Sequence, residues 1–554
     1  MDERKRAVEM PPPTADWSAF PQGYSLLLNE KAQFPQNLSC WRMKIDGRRQ
    51  LFADTQLIAH SANLRRSLHP AQKHPANPLM KDLWAGYVYP EAEGGYRIYG
   101  NGWRGRFGGQ PEPDPGQDWV WMVCSHDGIE WKLPGEVLQY REHGSDAWRP
   151  MRGQLHGLLF EPDDPDGEQR WKLILRDLAR RRTADTTSRF SGPQLPIALY
   201  TSSDGLHWTW EADTTLVRKG SAGFRHTGGP DDVYPEGLGD VLQVRWDPAL
   251  GKYIAHTKER VGPDPRFPFF YRHGENGPEG VYEARVAGWS ESDDLIHWSP
   301  PRIYAYPDSV DASLEGMYGI YEADGFSYES MWLGCLSMTA NVPDPGCEAP
   351  PRWPGGYKRN WIRLAGSRDG RHWYYLADRE DFIPNGDHDA WDAHYIRMAE
   401  HVTCAGPVIH DDEVWFYYHG QYGGIPGCKG LTLPKSDWQC SLGLAVARRD
   451  GFVSLDADQE PGEVITRPLT FTGTGHLFLN AQTENAGAVR VAVLEEDGAP
   501  ISGLEYDAGA ELQGDMLRAR VSWNGGDSLA ALKGHYVRLA FKLQRAKLFS
   551  FWVE

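Results

Sequence analysis

The sequence is short of cysteine: seven are scattered through 554 residues, with no Cys-x-x-Cys pair among them. That excludes a disulfide-stapled scaffold and a cysteine-built zinc site, and it fits reduced thiols in a cytoplasmic protein. There is no apolar run of the ~18 residues that a transmembrane helix needs, so no membrane is expected as a partner. The opening stretch, MDERKRAVEMPPPTADW, carries charge but no apolar core and does not read as a secretory signal. Positive charge is also in deficit. Against 76 acidic residues stand 58 Lys and Arg, a net charge of −18, which argues against nucleic acid as the main partner. Turn formers and aromatics are abundant instead: 60 Gly, 40 Pro, 23 Trp and 25 Tyr. With 40% hydrophobic residues the chain can bury a large core, and the combination points to an all-β protein.

A repeat organises the chain. The pattern Ser-x-Asp-(Gly/Leu)-x-x-Trp stands at Ser125 to Trp131 (SHDGIEW), Ser202 to Trp208 (SSDGLHW), Ser292 to Trp298 (SDDLIHW) and Ser367 to Trp373 (SRDGRHW). A degenerate fifth copy, ARRDGFVSL, surrounds Asp450. Asp127, Asp204, Asp294, Asp369 and Asp450 follow one another at intervals of 77, 90, 75 and 81 residues. The residue types dictate a turn: Asp accepts hydrogen bonds from the backbone that follows it, Gly supplies a left-handed position, and Trp packs as an anchor. The runs WVWMVCS, PIALYTS, VAGWSES and WIRLAGS precede the copies and read as strands. Each motif is therefore expected as a hairpin between the outer strands of one repeat, with a structural Asp.

Each repeat also carries an earlier strand pair, at 85–103, 155–177, 240–260, 318–337 and 402–420. Four strands recurring five times describe a five-bladed β-propeller over residues 71–470. Residues 1–70 read as an irregular lead-in, with a strand near RRQLFADTQLIAH that helps close the ring. Residues 471–554 lack the motif. Their alternating runs HLFLNA, AVRVAVLEED, MLRARVSW and HYVRLAFKL, separated by Gly-rich turns, read as a C-terminal β-sandwich that braces the propeller. Asp497-Gly498 is expected as a hairpin turn within it.

The turn motifs and the trailing sandwich resemble the five-bladed-propeller glycoside hydrolases of families 32, 43, 68 and 117, and the domain order is most similar to family 32. The sialidase Asp-box has one more residue before its Gly and fits less well. The resemblance implies a carbohydrate substrate, with a furanose unit in prospect, and carboxylates in the propeller funnel. The chain departs from family 32 in lacking its Asn-Asp-Pro-Asn, Arg-Asp-Pro and Glu-Cys motifs. HPANPLMKDLWAGYVY places Asp82 near the first of these, and Asp247-Pro248 falls in the turn WDPALGKY. The chain thus reads as a divergent, family-32-like hydrolase.

Glycoside hydrolysis needs two carboxyls flanking the bond, about 5 Å apart in retaining enzymes and about 6.5–9.5 Å apart in inverting ones. In a propeller the innermost strand of each blade lines the funnel, so acids at the starts of those strands are the candidates. Asp240 opens the third repeat, with Glu236 four residues earlier; Glu315 opens the fourth in SLEGMYGIY. Asp392 opens the fifth, between Trp391 and His394, with Asp389 a neighbour, and Asp82 precedes the first. The second repeat offers His156, in GQLHGLLFE. Glu315 is assigned as general acid, because Glu reaches further and burial raises its pKa. Asp392 or Asp82 would be nucleophile or base, and Asp240 would orient substrate or tune the acid. Trp84, Trp103 and Trp391 are candidate stacking platforms. Arg104, in NGWRGRFGG, suits a carboxylate or phosphate, and His156, His394 and Glu236 suit sugar hydroxyls.

Two other readings stay open. His156, His256, His394, His401 and His419 fall on or near inner strands, as in propeller lyases that cleave uronates with a His-bound metal. No His-x-His or His-x-x-x-His pair supports this, and no catalytic metal or cofactor is expected. A structural calcium would leave no readable motif. The third reading is a non-catalytic sugar-binding propeller. Self-association as a homo-oligomer is left open.

Overall fold

The computed structural model describes residues 28–29, 42–81, 83–102, 119–133, 135–177, 196–217, 242–261, 284–305, 311, 317–342, 357–387, 389–398, 400–401, 407–422 and 439–554. Among them the regular elements are strands and a few three-residue 3-10 turns. Short aromatic and β-branched runs cut by Gly and Asp turns leave no stretch for a 3.6-residue period to establish itself. No helix of the described residues is long and apolar enough to cross a membrane.

Among the described residues the chain runs back and forth in an antiparallel meander five times. The first meander is Leu83–Pro90, Tyr96–Gly102, Val120–Ser125 and Glu136–Val137. The second is Gly153–Phe160, Trp171–Asp177, Pro196–Ser202 and His207–Val217. The third is Leu242–Asp247, Lys252–Val261, Ala284–Ser292 and Arg302–Ala305. The fourth is Met317–Tyr328, Met331–Val342 and Tyr357–Ser367, edged by Tyr374–Tyr375 and Asp381–Ile383. The fifth is Tyr395–Met398, Glu413–Tyr422 and Gln439–Arg448, and its outer edge comes from far upstream, where Gln72–Lys73 and Met80–Lys81 pair with Gln439–Arg448.

The Ser-x-Asp motif closes the third strand of the first four meanders, and its hydrogen bonds explain its spacing. One carboxylate oxygen of Asp127 accepts the amides of Ile129 and Glu130 at 2.9 and 2.8 Å. Asp204, Asp294 and Asp369 repeat the arrangement with the amides two and three residues on. The Ser125 hydroxyl accepts the Gly128 amide at 2.9 Å. The amides of Glu130 and Ile129 hold the Asp127 carboxyl below its ordinary pKa. These carboxylates are occupied in holding turns, as the residue pattern required.

Each turn leans on the meander before it. Arg97 donates to the Asp204 carbonyl at 2.7 Å, and the Thr215 amide to the Ile296 carbonyl at 2.8 Å. Trp373 meets Tyr304 at 6.0 Å between ring centroids. The degenerate fifth copy leans on the fourth meander, where the Tyr328 hydroxyl donates to Asp450 at 3.0 Å. The first turn completes the series against the fifth meander: the Tyr417 hydroxyl donates to the Gly128 carbonyl at 2.9 Å. Glu400–His401 also pairs in parallel with Tyr87–Val88. The order of contacts thus returns to its start.

A separate network of ten strands gathers segments from Met43 to Leu68 and from Val453 to Val553. Leu477–Glu495 and Val537–Val553 form its long antiparallel spine. Met43–Ile45, Gln50–Leu51, Ile58–Ala62 and Arg65–Leu68 join it, as do Val453–Ala457 and Gly462–Thr466. The strand expected near RRQLFADTQLIAH to help close the ring therefore pairs in this sheet, and the segments that complete the fifth meander lie just beyond it. A short alternating run specifies that a strand forms but not its partner. Asp497-Gly498 forms its turn, with Gly498 at φ +94° and the Glu495 amide donating to the Ala499 carbonyl at 2.8 Å.

Candidate functional site

The starts of the first strands are where the sequence placed its acids. Asp82 immediately precedes Leu83, Asp240 stands two residues before Leu242, and Glu315 two before Met317. Asp82, Asp240, Glu315, Glu236, Trp103 and Arg104 lie outside the described residues, as does the side chain of Trp84. Asp392, His394, Trp391 and His156 are described.

Asp392 stands three residues before Tyr395 and is buried. Lys73 donates to its Oδ2 at 2.6 Å and the Tyr418 hydroxyl at 2.9 Å. Lys73 belongs to the upstream segment that edges the fifth meander, so Asp392 ties that segment to the meander. Burial and the adjacent Asp392 carboxylate push the Tyr418 phenol up. Trp391 lies on Tyr418 with ring centroids 5.5 Å apart and 26° between planes. It also covers Gly443, where a Cβ would fall 2.6 Å from the indole. One face of the half-buried indole is thus taken by Tyr418. His394 is buried with its ring 5.1 Å from that of Tyr422. His156 is buried at a register shift between Leu155 and Gly157.

The described residues that do converge from separate first strands were not singled out from the sequence. Glu322, on the first strand of the fourth meander, is gripped by Arg397 of the fifth through two hydrogen bonds of 2.7 Å. Gln243, on the first strand of the third, donates to the same carboxylate at 2.6 Å. The ion pair is nearly sealed, with side-chain exposures of 4% and 2%. Burial alone would pull the Arg397 guanidinium down; the Glu322 carboxylate reverses this and holds it above its ordinary value. Next to this trio runs a second line across the same three meanders. Lys258 sits 4.3 Å over the Tyr321 ring, which meets Tyr395 edge-on at 5.7 Å. The signal available in the sequence was a charge within a mostly apolar first strand: Glu322, two residues before Asp324, in GIYEADGF and Arg397 in HYIRMA.

Two residues beyond Glu322, Asp324 is an unusual carboxyl. Burial pushes its pKa up to about 6, with Arg245 opposing and Glu322 adding to the rise. Burial, then Arg245, holds the nearby His256 imidazole well below its ordinary pKa, and its Nδ1 lies 2.9 Å from the Tyr304 hydroxyl. The described residues hold no group of three or more His, Cys, Asp or Glu side chains suited to a metal ion. A cavity of about 320 Å³ opens elsewhere, between the fifth meander and the ten-stranded network, lined by His69, Gln72, Arg448, Gln482 and Phe549. Its Arg448 already engages Asn480 and Asp515, and none of the predicted site residues lines it.

No protein-family model and no curated protein matches the sequence. Among solved structures, similar ones include an N-acetylgalactosamine deacetylase from F. plautii, 13% identical, covering 71% of this chain and 97% of that one with a TM-score of 0.38. A family 117 glycoside hydrolase from Zobellia galactanivorans is 14% identical and covers 68% of this chain and 90% of that one, with a TM-score of 0.34. A family 32 β-fructofuranosidase from Bombyx mori is 9% identical and covers 88% of this chain and 93% of that one, with a TM-score of 0.36. Likenesses this distant leave the chain's chemistry to be argued from its own residues.

Proposed function

We propose that the chain is a five-bladed β-propeller bearing a smaller β-sandwich, and that it hydrolyses a glycosidic bond at the mouth of the propeller funnel. The ring would run from Gln72 to Arg448, and the sandwich would take 43–68 and 453–553. The observation that carries the reading is positional: four of the five first strands have an acidic residue within the three positions before them, at Asp82, Asp240, Glu315 and Asp392. In a cyclic repeat the first strands all start at one end of the axis, so acids placed there and not bonded elsewhere, as Asp392 is, can converge on a common space. Carboxyls converging on one point are what glycoside hydrolysis uses.

Glu315 is the proposed general acid, protonating the leaving oxygen, with Asp82 or Asp240 as the second carboxylate, attacking the sugar or activating water. Asp392, already held by an ammonium and a phenol, serves better as a brace than as a reactant. Trp84, Trp103, Arg104, His156 and Glu236 are the proposed substrate contacts. The substrate is a small oligosaccharide or glycoside; the furanose unit rests on the resemblance alone.

The test is a screen of aryl glycosides and oligosaccharides, furanosides and pyranosides together, with and without a chelator. Chelator-resistant release of one sugar is expected, and Glu315→Gln should lower kcat by about 100- to 10,000-fold while leaving binding intact. A chelator-sensitive reaction yielding an ultraviolet-absorbing unsaturated product would replace hydrolysis by a lyase. Binding without turnover would make the chain a sugar-binding propeller.

A further inference from the structure

The trio Gln243, Glu322 and Arg397 has a geometry that stability alone does not call for. A sealed ion pair recovers little of its desolvation cost, and apolar side chains of equal volume commonly serve stability as well or better. What a bidentate guanidinium–carboxylate pair supplies is orientation: two parallel hydrogen bonds fix distance, plane and register together. Here that fork joins the fourth and fifth meanders, and Gln243 extends the same carboxylate's grip to the third. All three residues lie on first strands. Gln243 follows Asp240 by three residues, Glu322 follows Glu315 by seven, and Arg397 follows Asp392 by five.

We infer that Gln243, Glu322 and Arg397 form a positioning latch, which fixes the mutual placement of three first strands and so sets the geometry of Asp240 and Glu315, the reacting carboxyls at the starts of two of them, against the brace at Asp392. The inference rests on the hydrolase reading above. Glu322 is a positioning residue: with its charge spent on Arg397 and its side chain sealed, it acts through the strands it joins. Lys258, Tyr321 and Tyr395 pack beside the latch. Lys258 covers one ring and Tyr395 meets the same ring edge-on, so the three meanders are joined there a second time.

The latch predicts a separation between binding and turnover. Positional errors near 1 Å at a reacting centre cost rate far more than they cost affinity. Removing Glu322 alone would strand a buried guanidinium and risk unfolding. The variant of choice is therefore Glu322→Gln combined with Arg397→Met, which removes both charges. It should keep the parent's far-ultraviolet circular dichroism, with kcat down about 100-fold and KM within about threefold on whichever glycoside the parent cleaves. Gln243→Leu removes one arm and no charge, and provides the second variant, with kcat down about tenfold at unchanged KM. A folded double variant, or a folded Gln243→Leu, that keeps kcat within threefold of the parent overturns the latch while leaving the hydrolase reading in place. A parent that cleaves no glycoside overturns the hydrolase reading, and the latch with it, before any variant is made.

Discussion

The meanders of the ring pack on apolar clusters as the ten-stranded network does, but the centre of the network and the place where three first strands of the ring meet are filled in opposite ways. The network buries a continuous apolar set, Ile45, Phe52, Val491, Leu539, Phe541 and Val553 among them. Where three first strands of the ring meet, the described side chains include Gln243, Glu322 and Arg397, with Lys258 of a neighbouring second strand beside them, all buried. An apolar interior is insensitive to small rotations, because dispersion and burial are not directional. A hydrogen-bonded interior tolerates few arrangements, since each displaced donor or acceptor is left without water to replace its partner. The difference teaches where precision is concentrated: the network supplies adhesion, and the ring spends stability on geometry.

The junction between the two regions should be the most sensitive point. Asp54 is fully buried, takes two bonds from Arg368 at 2.8 and 2.9 Å, and accepts from the Tyr374 hydroxyl. Asp54→Ala leaves the buried guanidinium with the Ser330 and Leu51 carbonyls but no counter-ion, and is expected to cost about 3–5 kcal/mol, read as a fall in the denaturation midpoint. Phe541→Ala, within the apolar network, should cost a similar 3–5 kcal/mol or so through the cavity it leaves. It should leave kcat per folded molecule unchanged. A Phe541→Ala variant that is stable but slow would break the division between adhesion and geometry.

What was legible in the sequence follows from the range of each interaction. The Ser-x-Asp turns close their bonds within three residues, so residue types and spacing were enough to place them and to mark Asp127, Asp204, Asp294 and Asp369 as structural. Asp450 looked like a worn copy of the same turn. Its side chain instead collects Arg49, Tyr328, Asn480 and Ser550, partners remote in sequence that no local pattern announces. The latch is hidden for the same reason: Glu322 stands 79 residues from Gln243 and 75 from Arg397. Those separations are close to the repeat length, so a search for polar and charged residues recurring at that period in first strands could have found it. Trp391 shows the converse. Its crowding with polar neighbours suggested a sugar platform; that the glycines at 420 and 443 open a slot into which the indole packs was not visible there. A slot built by two absent side chains is visible only once the strands are paired.

Asp324 sharpens the comparison through pH. Its folded-state pKa lies near 6 against an ordinary 3.8, because burial penalises the carboxylate. The folded protein therefore binds this proton more tightly than the unfolded chain does. The contribution to stability is full below about pH 4 and is lost as pH rises through about 6. Asp324→Asn, neutral at every pH, should gain at most about 3 kcal/mol over the parent at pH 7.5 and nothing at pH 4. Urea midpoints at the two pH values decide it. An equal gain at both would mean that shape, not charge, is what the ring's interior resists at this position.

The smallest effect concerns the turns themselves. Three of the four copies place Gly at the left-handed position, with φ of +76°, +77° and +70° at Gly128, Gly205 and Gly370. The third copy puts Leu295 there at φ +66°, and its side chain is buried among Leu216, Leu242 and Val244. Two terms oppose each other. The left-handed backbone costs a Leu about 1–2 kcal/mol, while deleting a buried Leu side chain costs about 2–5 kcal/mol. Leu295→Gly should therefore destabilise by about 2 kcal/mol, less than Leu442→Ala, where the lost side chain leaves an ordinary strand backbone and no strain is relieved. Parallel denaturation of the two variants measures the difference. If Leu295→Gly proves the costlier, the strain term is absent, and the turn of the third meander is set by the packing of Leu295 rather than by the hydrogen bonds of Asp294.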